Sequence, residues 1–178
     1  MKCIILYGSQ YGTTQRYAEK LSELTQISAY RFDEVHNLSA YDLVIHLGGL
    51  YAGGVTGLKH TLKLLPDHAK FFLITVGLAD VLDEENTTHI RQSIRKQLPE
   101  DRYRRTELFH LRGGIDYAKL SWKHRTMMAM LYRTIKKRPP ETLRAEDNAL
   151  LQTYNQKVDF VDFQTLDPVV QAIQVLAQ

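Results

Sequence analysis

Ser9-Gln10-Tyr11-Gly12-Thr13-Thr14 is the stretch of this sequence whose residue types and spacing point most directly to chemistry. It follows the apolar run Cys3-Ile4-Ile5-Leu6-Tyr7 and precedes Tyr17, Leu21 and Leu24 at helical spacing, so it reads as a turn from a buried strand into an amphipathic helix that is under way by Gln15. The first amides of a helix have no intrahelical partner, and the macrodipole there is positive. Such a turn can hold a phosphate, with Ser9, Thr13 and Thr14 adding hydroxyl donors and Gly12 allowing close approach or a positive φ. The same residues also serve as plain cap and turn formers. The pattern lacks the Gly-Lys-Ser/Thr ending of a P-loop, and Gly8 and Gly12 do not make G-x-G-x-x-G.

Two further glycine-bearing segments follow strand patterns. Tyr41 to Leu47 reads as a central strand, and the segment from Gly48 to Gly57 carries five of the ten glycines, which marks a loop beside a ligand. Leu58 to Leu65 reads as a helix stopped by Pro66, and Lys70 to Val76 as a buried strand entering the loop Gly77-Leu78-Ala79-Asp80. Ser28 to Phe32 suits an edge strand, while Ile90, Ile94 and Leu98 form a helical stripe ended by Pro99. Glu107 to Leu111 is the next strand, and Pro168 opens a closing helix. Strands and helices alternate throughout, which predicts an α/β fold with a doubly wound parallel sheet. Ligands in such sheets bind beyond the carboxyl ends of the strands, where the three loops fall, and the combination suggests a mononucleotide-like ligand.

The 178 residues suit one domain, 1–178, with a sizeable core. Charged residues make up 24% and hydrophobic ones 44%, a balance that excludes a disordered chain. No apolar run approaches the ~20 residues that span a bilayer, and no signal peptide precedes the first strand, so a soluble, cytoplasmic protein is expected. Cys3 is the only cysteine, which excludes an intrachain disulfide and a cysteine-cluster metal site. No His, Asp and Glu grouping has metal-ligand spacing, so no metal is expected. His46 and His110 lie on strands as structural residues, and no side chain stands out as a general acid or base.

The turn Ser9 to Thr14 resembles the phosphate loop of flavodoxins, Thr/Ser-x-Thr-x-x-Thr with Gly often fourth. Gly48 to Gly54 and Val76 to Asp80 fall where that family places the two loops that sandwich the flavin ring. The resemblance covers essentially the whole chain and implies a five-stranded sheet in the order 2-1-3-4-5 with FMN as cofactor. Ser9, Gln10, Tyr11, Gly12, Thr13 and Thr14 would then hold the phosphate. Gly49, Leu50, Tyr51, Ala52, Gly53 and Gly54 would flank one side of the ring, with Tyr51 as its aromatic platform. Gly77, Leu78, Ala79 and Asp80 would flank the other. Tyr11 departs from the family in standing where Thr is usual, and the net charge of +3 departs from the acidic balance of electron-shuttling flavodoxins.

The segment 113–138 is a basic and aromatic insertion within the domain. From Lys119 to Arg138 it carries seven cations and no acid, with Trp122, Met127, Met128, Met130 and Leu131 interleaved. A basic amphipathic helix of this kind reads as a surface for anionic lipid or an acidic partner, or as a core-packing helix with a solvated charged face. No nucleic-acid-binding motif accompanies it. Its place, after the first half of the fifth strand, is similar to that in flavodoxin-type quinone-dependent protoporphyrinogen dehydrogenases. That likeness implies an FMN-dependent oxidoreductase acting on a porphyrinogen or quinone near Arg112, Tyr117, Trp122, Lys123 and Arg125, with residues 119–138 as a peripheral contact at the inner face of the membrane. The alternatives are an electron carrier that docks an acidic redox protein, and a binding protein of the same fold that has lost FMN.

Overall fold

The computed structural model describes residues 1–51, 54–143 and 145–177. In chain order, β1 (Cys3–Gly8) leads through α1 (Thr13–Thr25) to β2 (Ala29–Arg31), then to β3 (Leu43–Tyr51), β4 (Gly54–Val55), α2 (Leu58–Leu64) and β5 (Lys70–Gly77). α3 (Glu84–Arg95), α4 (Glu100–Arg104) and β6 (Thr106–Arg112) follow. The five main strands pair in parallel as β2-β1-β3-β5-β6, which is the expected 2-1-3-4-5 once the short β4 is set aside.

Alternation along the strands supplies the two faces of the sheet. Ile5, Ile45 and Leu47 pack under α1 and a C-terminal helix, α7 (Asp167–Ala177), against Tyr17, Leu21, Val169 and Ile173. Ile4, Leu6 and Val44 face the opposite way, against Leu58 of α2 and Ile90 and Ile94 of α3. β3 lies centrally with β1 and β5 on either side, and its first six residues are all buried.

Two elements differ from the sequence reading. The segment from Gly48 is strand as far as Tyr51 and then folds back through β4, with Leu50 opposite Val55. Gly48 has ladder neighbours on both sides, Gly8 and Thr75, and that pairing overrides the poor strand propensity of glycine. α4 follows Pro99 directly and is too short for periodicity to reveal.

After β6 the chain leaves the main sheet. β7 (Gly114–Asp116) pairs antiparallel with β8 (Lys157–Asp159), and this ribbon brackets α5 (Trp122–Lys136) and α6 (Ala145–Thr153). The helical excursion therefore runs past residue 138. Ile115, Tyr117, Leu120, Met128, Ile135 and Leu150 give it a small core of its own, on which Tyr11 and Leu78 of the main body also pack. Tyr17 ties down both feet of the excursion: its hydroxyl donates to the Arg112 carbonyl (2.8 Å) and accepts from the Asp162 amide (3.0 Å). Among the described residues no helix is long and apolar enough to cross a membrane.

Candidate functional site

A pocket of about 110 Å³ lies beyond the carboxyl ends of β1, β3 and β5. The turn after β1 forms its floor through Ser9, Gln10, Tyr11, Thr13 and Thr14. Gly12 takes a left-handed φ of 86° and sets the entry to α1, which begins at Thr13, two residues earlier than its apolar spacing suggests. A Cβ at Gly12 would meet nothing within 4 Å, so the requirement for glycine there is conformational. The amides of Thr13 and Thr14 open the helix and have no carbonyl within it to donate to.

The hydroxyls of the turn are not equivalent. Ser9 Oγ accepts from the Gly12 amide (3.1 Å), which leaves the serine proton available to a ligand. Thr13 spends its proton on the Gly114 carbonyl (3.2 Å) and so ties the turn to β7. Thr14 is buried with its hydroxyl toward Gly49, 3.2 Å from where a Cβ on that glycine would stand.

Gly49, Leu50 and Tyr51, at the end of β3, form one wall, and Val76, Gly77 and Leu78 the facing one. Gly113, Gly114, Ile115 and Met128 close the back. A Cβ at Gly113 would come 2.8 Å from Val76 and 3.1 Å from Thr13, so this point where three elements converge admits only glycine without a shift. Beneath the first wall, fully buried His46 sets its Nε2 3.0 Å from the Thr56 carbonyl and its Nδ1 2.9 Å from Thr61 Oγ1. The carbonyl requires a proton on Nε2, so Nδ1 accepts from the threonine. Burial lowers the His46 pKa to about 4 and keeps the ring neutral.

The insertion covers the mouth. Gln10 Nε2 donates to His124 Nε2 (2.8 Å), which puts the ring proton on Nδ1, 2.9 Å from Ser121 Oγ. The same imidazole meets Tyr11 and Tyr51 edge-on, at centroid distances of 5.7 and 6.0 Å, and the Tyr51 hydroxyl donates to Met127 Sδ (2.9 Å). Tyr11 lies under this cover with its hydroxyl buried and unpartnered, and burial, with Tyr51 beside it, pushes its pKa up to about 12. His124, Met127 and Met128 are residues to which the sequence reading assigns no role at the pocket. Their helical spacing marks a helix face but not what that face meets.

Several of the sequence-designated residues lie off the pocket wall. Gly54 sits in β4 beside Gln97, Ala79 is buried, and Asp80 caps the following turn at the Leu82 amide and accepts from Arg112 (3.5 Å). Arg112 lies 3.9 Å over the Phe160 ring and donates to the Leu78 carbonyl, so its guanidinium is committed to holding the chain. Tyr117 is buried in the core of the insertion against Tyr154, and Arg125 donates to the Tyr117 and Ala118 carbonyls. Trp122 and Lys123 stand on the outer surface of α5. Ala52 and Gly53 lie outside the described residues. No grouping of His, Cys, Asp and Glu among the described residues could hold a metal ion.

This donor set suits a phosphate: helix-opening amides, an available serine proton and no carboxylate on the floor. The facing walls suit a flat ring in placement. The space between them is below the roughly 300–1,000 Å³ usual for small-molecule sites. Tyr11 and Tyr51 line it, and His124 meets both rings edge-on.

A family model described as flavodoxin domain matches residues 4–142. Among solved structures, a presumed flavoprotein from Bacteroides eggerthii matches with 14% identity over 62% of this chain and 86% of its own, at a TM-score of 0.45. A cysteine-to-serine mutant of flavodoxin from Pseudomonas aeruginosa matches with 17% identity over 73% of this chain and 93% of its own, at a TM-score of 0.44. No curated protein matches the sequence.

Proposed function

Because the chain belongs to the flavodoxin domain family, we propose that it binds FMN in this pocket and acts as an FMN-dependent oxidoreductase of the protoporphyrinogen dehydrogenase type. The observation that supports the reading is the meeting, at one pocket, of the phosphate-type turn, two strand-end walls and a cation-rich insertion whose first helical turn covers the mouth. FMN supplies electron or hydride transfer when bound. The chain's part is binding and exclusion. The Thr13 and Thr14 amides and the Ser9 hydroxyl hold the phosphate, Leu50, Tyr51 and Leu78 bound the ring, and the first turn of α5 keeps water from it. His124, held by Gln10 and Ser121, fixes the position of that turn over the pocket. A porphyrinogen would be the hydrogen donor and a quinone the acceptor.

The test begins with the visible spectrum of the purified protein before and after FMN is added and the excess removed. A perturbed flavin spectrum is expected, followed by porphyrinogen oxidation with a quinone and no protein reductase. Bound flavin that needs a reductase for turnover would make the protein an electron carrier. A folded sample that takes up no FMN would favour a binding protein that has lost the cofactor, the reading supported by the narrow pocket and the intrusion of Tyr11.

A further inference from the structure

The outward face of α5 plays no part in the pocket. Trp122, Thr126, Met130, Arg133 and Lys137 recur at three- and four-residue intervals and share one stripe, with Lys123 beside it. The opposite face is already used, since Met128 and Ile135 are buried with Leu150 of α6. Trp122 is nevertheless 75% exposed and Met130 63%. Packing within the chain leaves these two large apolar side chains in water on a helix whose core-facing side is complete.

The charge around them has one sign. No acid occurs between Asp116 and Glu141. Arg125 is engaged with backbone carbonyls and Arg138 with Asp147, whereas Lys123, Arg133 and Lys137 form no ion pair among the described residues.

We propose that this face of α5 docks on a bilayer surface containing anionic phospholipid, with Trp122 and Met130 entering the boundary between headgroups and acyl chains and Lys123, Arg133 and Lys137 meeting lipid phosphates. Tryptophan favours that boundary, and long cationic stems run along an apolar layer while their heads reach the phosphates. A protein-docking patch is built differently, with an apolar centre from which lysine is depleted. Here the cations and apolar side chains alternate along one stripe. The helix has 15 residues, fewer than the ~20 needed to span a bilayer, so it lies along the surface. Its first two turns also cover the pocket through His124 and Met127, so docking sets the pocket mouth beside the bilayer. Delivery of a lipid-soluble acceptor there rests on the flavin reading; the docking does not.

Trp122 is the only tryptophan, so its fluorescence reports the contact directly. The full chain is mixed with phosphatidylcholine vesicles and with vesicles that also contain phosphatidylglycerol, each with and without FMN. Co-sedimentation with the anionic vesicles, a blue shift of Trp122 and weakening by salt are expected, whether or not FMN is retained. Taking roughly fivefold per cation, Arg133→Gln with Lys137→Gln should lower vesicle affinity by about 25-fold. Trp122→Ala should also weaken it, with circular dichroism unchanged. Equal partition onto phosphatidylcholine, an unshifted Trp122 signal or an unchanged affinity of the double variant would overturn the proposal. Binding to polyglutamate but to neither vesicle would also overturn it and assign the face to an acidic polypeptide.

Discussion

Ser9 and Thr13 present similar hydroxyls to the turn after β1, and the structure separates them by where each proton goes. Ser9 accepts from the Gly12 amide and keeps its own proton, while Thr13 donates to Gly114. If the pocket takes FMN, Ser9→Ala should weaken it by about 1.5–3 kcal/mol, the range for a hydrogen bond to a charged group. Thr13→Ala should leave the phosphate contact nearly intact and loosen β7 from the turn. Fluorescence titration with FMN distinguishes the two, and equal losses would show that the Thr13 hydroxyl changes partner on binding. At Gly12, with no neighbour to strike, Gly12→Ala should cost about 1–2 kcal/mol of folding stability from the left-handed φ alone. Gly12→Asn should cost less, because Asn tolerates that region; denaturant midpoints of the two variants give the comparison.

The first two turns of α5 touch the rest of the pocket through few groups: Gln10 with His124, Tyr51 with Met127, and the ring edges around His124. Those contacts keep the mouth narrow, and a ligand that needs more room must displace them. Replacing His124 and Met127 together by Ala removes on the order of 1 kcal/mol from the closed form and should raise apparent FMN affinity about fivefold. Stopped-flow association and equilibrium titration should both show the gain. A loss of affinity would instead make the turn part of the binding surface. The other end of the insertion is held more firmly, since Tyr17 fastens the chain on both sides of its base, at Arg112 and Asp162, from within the main core.

At the scale of the molecule, two histidines are kept neutral inside the sheet layers. Burial lowers His46 to about 4, and His110 is lowered to about 4 by burial and by the neighbouring Arg91. The unfolded chain takes up these protons near the ordinary value of 6.5, and the folded chain does not until near pH 4. Stability from both groups is therefore complete above about pH 6.5 and declines as the pH falls toward 4. For His46 the decline is on the order of 3 kcal/mol, at about 1.36 kcal/mol per pKa unit. Urea midpoints at neutral pH and near pH 4.5 should show this, and His110→Gln should flatten part of the slope.

The alternation of strands and helices, the turn at Ser9 to Thr14 and the basic, acid-free character of the insertion are legible along the chain. Each is written in local periodicity, or in residue types that act over a few positions. Tertiary structure alone decided the rest. Gly48 became strand because β1 and β5 lie on either side of it and Gly49 because β5 continues beside it, and Arg112 and Arg125 were drawn into holding the backbone. His124 reached Gln10 across 114 residues, because the β7 and β8 ribbon folds α5 back over the first turn of the chain. Contacts of that separation depend on how packed layers meet, and spacing along the chain does not encode them.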